Sequence, residues 1–286
     1  MNPYENFVSN YARLVAEGGK LPLGGQTPPK HQPLPPDAAK ALIFSPHPDD
    51  EVIIGGLPLR LRREMGMNVI NVAVTQGSNK ARQPERLREL TECCNYIGFG
   101  LVQTRENGLE NVSMNGRTKD PERWKESVAR IAAILKEHQP HTIFFPHNDD
   151  WNSSHIGTHH LVVDALGQLG SEFSCYSIET EFWGAMDTPN LMVESTGQQV
   201  VDLITALSFH VGEVRRNPYH VRMPAWMIDN VRRGGELVGG QGGAAPNFAF
   251  ATLYRLRRWR NGAFENGFEK GRFLAASENP QGLFRP

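Results

Sequence analysis

From residue 40 onward, short apolar runs alternate with amphipathic stretches of helical length, and this alternation restricts the fold more than any other feature of the chain. Ala41-Leu42-Ile43-Phe44 is followed by a helical stretch near residues 53–65, and then by Val69-Ile70-Asn71-Val72-Ala73-Val74. A second helix is expected from Pro84 to about Tyr96, with proline in its first turn and Ile97-Gly98 at its exit. A third runs from Trp124 to about His138 and is stopped by Gln139-Pro140; a strand at 141–146 and a helix from about Ile156 to Leu169 come next. Strands separated by helices need crossover connections, which run right-handed and give a mostly parallel sheet covered on both faces. The expected class is α/β: a Rossmann-like, mostly parallel sheet with helices on both faces. After residue 180 the pattern loosens, and an irregular C-terminal extension is expected there. It holds a helix from 199 to about 210, a glycine-rich flap at 234–243 and a late strand at 248–254.

Ahead of this region, residues 4–17 suit a short amphipathic helix through Phe7, Tyr11, Leu14 and Val15, and residues 21–36 carry six prolines. Residues 1–39 therefore read as an N-terminal helix and proline-rich arm. Residues 40–286 read as a single domain, with a core at 40–180 and a substrate-facing wall at 181–286. The arm is long enough to embrace a neighbouring subunit of a homo-oligomer. Lys plus Arg number 30 against 31 for Asp plus Glu, so no net charge draws the molecule to nucleic acid or an anionic membrane. No stretch has the apolar length of a membrane span, and the first residues have no basic, apolar leader; a cytoplasmic protein with a small-molecule substrate is expected. Cys93, Cys94 and Cys175 form neither a disulfide framework nor a metal knuckle, and they read as buried core residues.

Two acid- and histidine-rich segments, 46–51 and 146–160, directly follow predicted strands. Ligands in such sheets bind beyond the carboxyl ends of the strands, so both segments open onto one rim. Adjacent carboxylates at a strand-to-helix turn cannot share a face; one can hold a cation while its neighbour faces whatever the cation holds. His47 and Asp50 offer one nitrogen and one oxygen, a pair that suits zinc better than magnesium or calcium. Taken alone, they read equally well as an acidic helix start beside a surface histidine. The second segment, with His147, His155, His159 and His160, favours a metal site. His155 is placed to reach His47 and Asp50, and His159 lies one turn further along the same helix face, where it would meet substrate or a ligand.

Ser45-Pro46-His47-Pro48-Asp49-Asp50-Glu51 followed by Gly55-Gly56 resembles the signature of the PIG-L or LmbE-like family of zinc-dependent N-deacetylases. Val74-Thr75-Gln76-Gly77, Arg86-Leu87-Arg88-Glu89, Gln139 to Ile143 and Asp150 to His155 resemble further motifs of that family, in the same order. A weaker echo lies at 206–210. The resemblance implies that His47, Asp50 and His155 bind Zn2+ and that Asp49 is the general base for attack of water on an amide carbonyl. The implied reaction is removal of acetyl from an N-acetylated amino sugar or its conjugate.

Where the family has the first histidine of its H-x-x-H element, this chain has Asn152, whose amide can donate to a developing oxyanion but cannot carry a proton. An acid role then falls to Asp49, His159 or His147. Glu51 is expected to anchor the turn. Arg86, Arg216 and Tyr219 are expected to bind substrate, with Trp183 and the 215–220 segment along the same wall. Two other readings are open to the same residues. Magnesium-dependent phosphoryl transfer through Asp49 and Asp50 is disfavoured by the histidines, and a non-catalytic sugar binder by the intact acid and histidine set.

Overall fold

A computed structural model describes residues 2–284. In chain order the elements are α1 (Tyr4–Gly18), β1 (Lys40–Ser45), α2 (Asp50–Ile53), α3 (Gly56–Glu64), β2 (Asn68–Ala73), α4 (Gln83–Ile97) and β3 (Gly100–Gln103). Then come α5 (Met114–Lys119), α6 (Pro121–His138), β4 (Thr142–Pro146), α7 (Ser153–Gln168), β5 (Cys175–Thr180) and β6 (Leu191–Ser195). The C-terminal part holds α8 (Gly197–Leu207), α9 (Val211–Arg216), α10 (Met223–Leu237), β7 (Phe250–Arg260), β8 (Ala263–Asn266) and β9 (Arg272–Leu274).

The strands form one sheet in the order β3-β2-β1-β4-β5-β7-β6-β9, with β8 paired to β7. The first five strands of that order are parallel. Strand β7 runs antiparallel to both β5 and β6. Because side chains alternate across a strand, β1 sends Ala41 and Ile43 into one core and Leu42 and Phe44 into the other. Helices therefore cover both faces, as the alternation of elements requires.

The chain leaves β1 outward through β2 and β3, and returns on the other side of β1 as β4. Strands β1 and β4 are thus hydrogen-bonded neighbours at the point where strand order reverses. The segments that follow them, 46–49 and 147–152, share the crevice that such a reversal opens.

Several expectations are corrected here. The helix expected near 53–65 is α3, from Gly56, and a separate short helix, α2, precedes it, the two parted at Gly55 with φ 83°. The extension after 180 is not irregular: β6, β7 and β9 complete the sheet, α10 packs on β7, and α8 packs against α2, α3 and α4. The late strand runs over 250–260 rather than 248–254. Gly234 and Gly235, assigned to a flap, lie inside α10, where a Cβ on Gly234 would overlap the Met192 side chain of the sheet. Helix α6 starts three residues earlier than expected, because Asp120 accepts from the Arg123 N–H and caps it. Helix α1 forms as expected but buries no residue, and Phe7 and Leu14 are largely exposed. The three cysteines are free and buried. Among the described residues, no helix is long and apolar enough to cross a membrane.

Candidate active site

His47, Asp50 and His155 converge at the β1/β4 crevice. His155 Nε2 is 3.3 Å from His47 Nδ1 and 3.3 Å from Asp50 Oδ2, and His47 Nδ1 is 3.4 Å from Asp50 Oδ2. The triangle is nearly equilateral. Metal–ligand bonds of about 2.0–2.1 Å in a tetrahedron place donor atoms about 3.3–3.4 Å apart, so these three atoms fit a zinc-sized ion with one position left open. Asp50 and His155 are buried to 1% and 0% exposure, which excludes competing water from this face.

Each donor is held from behind. Asp50 Oδ2 accepts the His47 backbone N–H at 2.8 Å, which closes the turn onto its own ligand pair. His155 Nδ1 lies 3.6 Å from Asp150 Oδ1, and Asp150 is itself fixed by the backbone N–H groups of Asn152, Trp183 and Gly184. A carboxylate behind a ligating imidazole orients the ring and sets which nitrogen faces the metal. Burial resists charge on His155, but Asp50 and Asp150 outweigh it and push its pKa up to about 10. Burial likewise opposes ionisation of Asp50, yet His155 and His47 hold it well below the usual carboxylate range. The site therefore attracts positive charge.

Asp49 stands beside this triangle in an unusual conformation, with φ 119° and ψ −29°. For a residue with a Cβ such a backbone is strained by roughly 1–3 kcal/mol and has to be held by its surroundings. Its N–H donates to Glu51 Oε2 at 2.9 Å, and Glu51 Oε1 accepts from His210 Nε2 at 2.7 Å. Glu51 and His210 are both buried, at 1% and 0% exposure. On the other side, the Tyr219 hydroxyl donates to Asp49 Oδ2 at 2.6 Å. Burial and the neighbouring Asp50 raise the Asp49 carboxyl to about 7, against the opposing pull of His210, Arg86 and the Tyr219 hydrogen bond. A carboxylate poised there takes up and gives back a proton near neutral pH.

The other expected residues divide. Arg86 Nη2 donates to the Pro48 carbonyl at 3.1 Å and its Nε lies 3.9 Å from Glu213, so it supports the turn that carries Asp49. Arg216 is mostly exposed and is paired with Glu213. Asn152 caps α7: its Oδ1 accepts the Ser154 N–H at 2.8 Å. His159 Nδ1 donates to the Pro146 carbonyl at 2.9 Å, and burial lowers its pKa to about 4. It is therefore a neutral ring whose Nε2 is the acceptor. His147 uses Nε2 toward the Gly184 carbonyl and Nδ1 toward the Asp149 N–H, so both its ring nitrogens are engaged. The roles of Asp150 and His210 were not foreseen. Asp150 stood inside the second motif, and His210 inside the weak echo at 206–210, without a partner to give either a purpose.

Residues 42–166 match the PIG-L family, described as GlcNAc-PI de-N-acetylase. That description is of a deacetylase family, and the matched segment covers less than half of the chain. The PIG-L segment spans β1 to α7 and contains all three triangle residues together with Asp49 and Asn152, whereas Tyr219 and His210 lie beyond it. Among solved structures, the chain is similar to N,N'-diacetylchitobiose deacetylase from Pyrococcus horikoshii, with 19% identity, TM-score 0.56, and 90% of this chain and 93% of that one covered. It is similar to the 4-carboxy-2-hydroxymuconate hydratase GalB from Pseudomonas putida, with 17% identity, TM-score 0.56, and 76% and 95% covered. It is also similar to teicoplanin deacetylase Orf2 in its zinc-inhibited form, with 14% identity, TM-score 0.52, and 77% and 99% covered. At these identities the likeness is one of fold. A hydratase shares that fold, so the reaction has to be argued from the site. No protein of curated function matches the sequence.

Proposed function

We propose that the protein is a zinc-dependent N-deacetylase that hydrolyses the acetamide of an N-acetylated amino sugar or a conjugate of one. The observation that carries this reading is the pairing of the 3.3–3.4 Å donor triangle with a separately held carboxylate, Asp49, on the adjacent residue. His47, Asp50 and His155 would hold the ion. Bound there, zinc supplies Lewis-acid polarisation of a carbonyl and acidifies water.

Asp49 does the proton work. Water adds its oxygen to the amide carbonyl carbon and one of its protons passes to Asp49. The C–N bond then breaks, and the same proton goes to the departing amine, so that acetate and free amine leave with atoms balanced. Tyr219 fixes the Asp49 carboxyl, and the Glu51–His210 pair fixes its backbone. The Asn152 Nδ2 group, at the start of α7, is the nearest match in this chain to an oxyanion donor, since its Oδ1 is already engaged.

Imidazole donors disfavour a magnesium-centred phosphoryl transfer at this site. The Asp49→Ala variant tests the reading: it is expected to keep its zinc and lose acetate release from N-acetylglucosamine and related conjugates. Full acetate release by a zinc-loaded Asp49→Ala protein refutes it.

A further inference from the structure

Two cavities flank the donor triangle, and they differ in chemistry. One, of about 370 Å³, is polar and is lined by His47 with Ser78, Lys80, Gln83, Asn111 and Ser113. The other, of about 280 Å³, is mostly apolar and aromatic, lined by Ile53, Phe182, Trp183, Tyr219 and Trp226, with Asn217 and Arg222 also on its wall. This second cavity touches the reacting centre at two points. The Phe182 ring stands edge-on to the ligand His155, with centroids 4.7 Å apart, and Tyr219 carries the hydroxyl that binds Asp49. Trp183 closes its mouth, edge-on to Tyr219 at 5.7 Å, and is 42% exposed.

An amide has two ends. If the amine end is a polyhydroxylated sugar, as the proposed function holds, the polar cavity beside His47 suits it, and the acyl end is left facing Phe182 and Tyr219. An acetyl group places a single methyl there. The apolar cavity, of about 280 Å³, has room for much more than one methyl group.

We propose that this cavity receives the acyl chain of the substrate, and that the preferred substrates are N-acyl amino sugars with chains longer than acetyl. The proposal rests on the amide-hydrolase reading of the same site and extends it from acetyl to longer acyl groups. The aromatic walls gain apolar contact with each added methylene, so chain length translates into affinity.

The experiment uses the zinc-loaded full chain and two probes that do not depend on turnover, acetohydroxamic and octanohydroxamic acid, with binding followed by calorimetry. The octano form is expected to bind on the order of a hundredfold more tightly. The ratio is expected to fall toward one in Trp226→Ala and in Trp183→Ala. In parallel, N-octanoylglucosamine is expected to surpass N-acetylglucosamine in kcat/KM, while the octyl glycoside of N-acetylglucosamine gains nothing. Equal binding of the two hydroxamates by the wild-type protein, or a gain that follows the glycoside's octyl group, overturns the proposal. Tight octanohydroxamate binding without hydrolysis of any amide upholds the cavity assignment and refutes the hydrolase reading, so the two fail separately.

Discussion

The Tyr219 hydroxyl and Asp49 Oδ2 lie 2.6 Å apart although 170 residues separate them in the chain. A hydroxyl donating to a carboxylate favours its ionised form, so Tyr219 lowers the pKa of the proposed base while burial and Asp50 raise it. Removing the donor leaves only His210 and Arg86 against the upward forces. In Tyr219→Phe the acidic limb of the kcat/KM profile is therefore expected to move to higher pH, with kcat reduced about tenfold and zinc content unchanged. A pH profile superimposable on that of the wild type contradicts this role.

Glu51 and His210 form a buried ion pair whose other end holds the Asp49 backbone. Deleting one partner of such a pair leaves a charge buried without compensation, which costs about 3–5 kcal/mol. His210→Ala is expected to lower the urea unfolding midpoint accordingly, and His210→Gln, which keeps a donor, to recover part of it. Equal midpoints for the wild-type and alanine proteins show that the pair does not carry this load.

Asn152 has two separable functions. Its Oδ1 caps α7, and its amide nitrogen is the proposed oxyanion donor. Asn152→Asp preserves the cap and removes the donor, so kcat is expected to fall at unchanged thermal stability. Asn152→Ala loses both, with an added stability loss of about 1 kcal/mol. Thermal melts and acetate release on the two variants separate the functions; an aspartate variant with wild-type turnover excludes the amide from catalysis.

Protonation of His159 links stability to pH. Burial holds its folded pKa at about 4, against 6.5 for the free side chain. Between pH 6.5 and 4 the unfolded chain binds a proton that the folded chain refuses, so stability is lost as pH falls through that window. His141, His160 and His220, also held down by burial, act with the same sign. His159→Gln is expected to show a shallower decline of melting temperature from pH 6.5 to 4; an unchanged slope means that His159 accepts its proton without unfolding.

The rim was legible in the sequence because two chemically distinctive segments, at 46–51 and 146–160, each follow a strongly apolar strand, and parallel sheets place such segments together. The break between α2 and α3 was hidden, since a Gly-Gly inside an amphipathic pattern is compatible with one continuous helix. What decides it is tertiary: a Cβ on Gly55 would overlap Thr252 Oγ1 of β7, from nearly two hundred residues away. Tyr219 was expected to touch substrate, and its hydroxyl also binds Asp49, a contact that could not be foreseen because periodicity carries no information about which distant loop folds over the base. Strands β6, β8 and β9 were missed for a related reason. Strands β6 and β9 are short, and each is held only by distant chain: β6 pairs with β7, which pairs with β5, and β9 pairs with β6.

Titration of metal-free protein with zinc, with acetate release from an N-acetylated amino sugar followed at each addition, tests the central claim most directly. Chelator-stripped protein is expected to release no acetate, activity is expected to rise linearly to a break at one equivalent, and His155→Ala is expected to show neither the break nor the activity. Undiminished acetate release by the stripped wild-type protein, or by zinc-free His155→Ala, contradicts the assignment of His47, Asp50 and His155 as the metal-binding centre of the reaction.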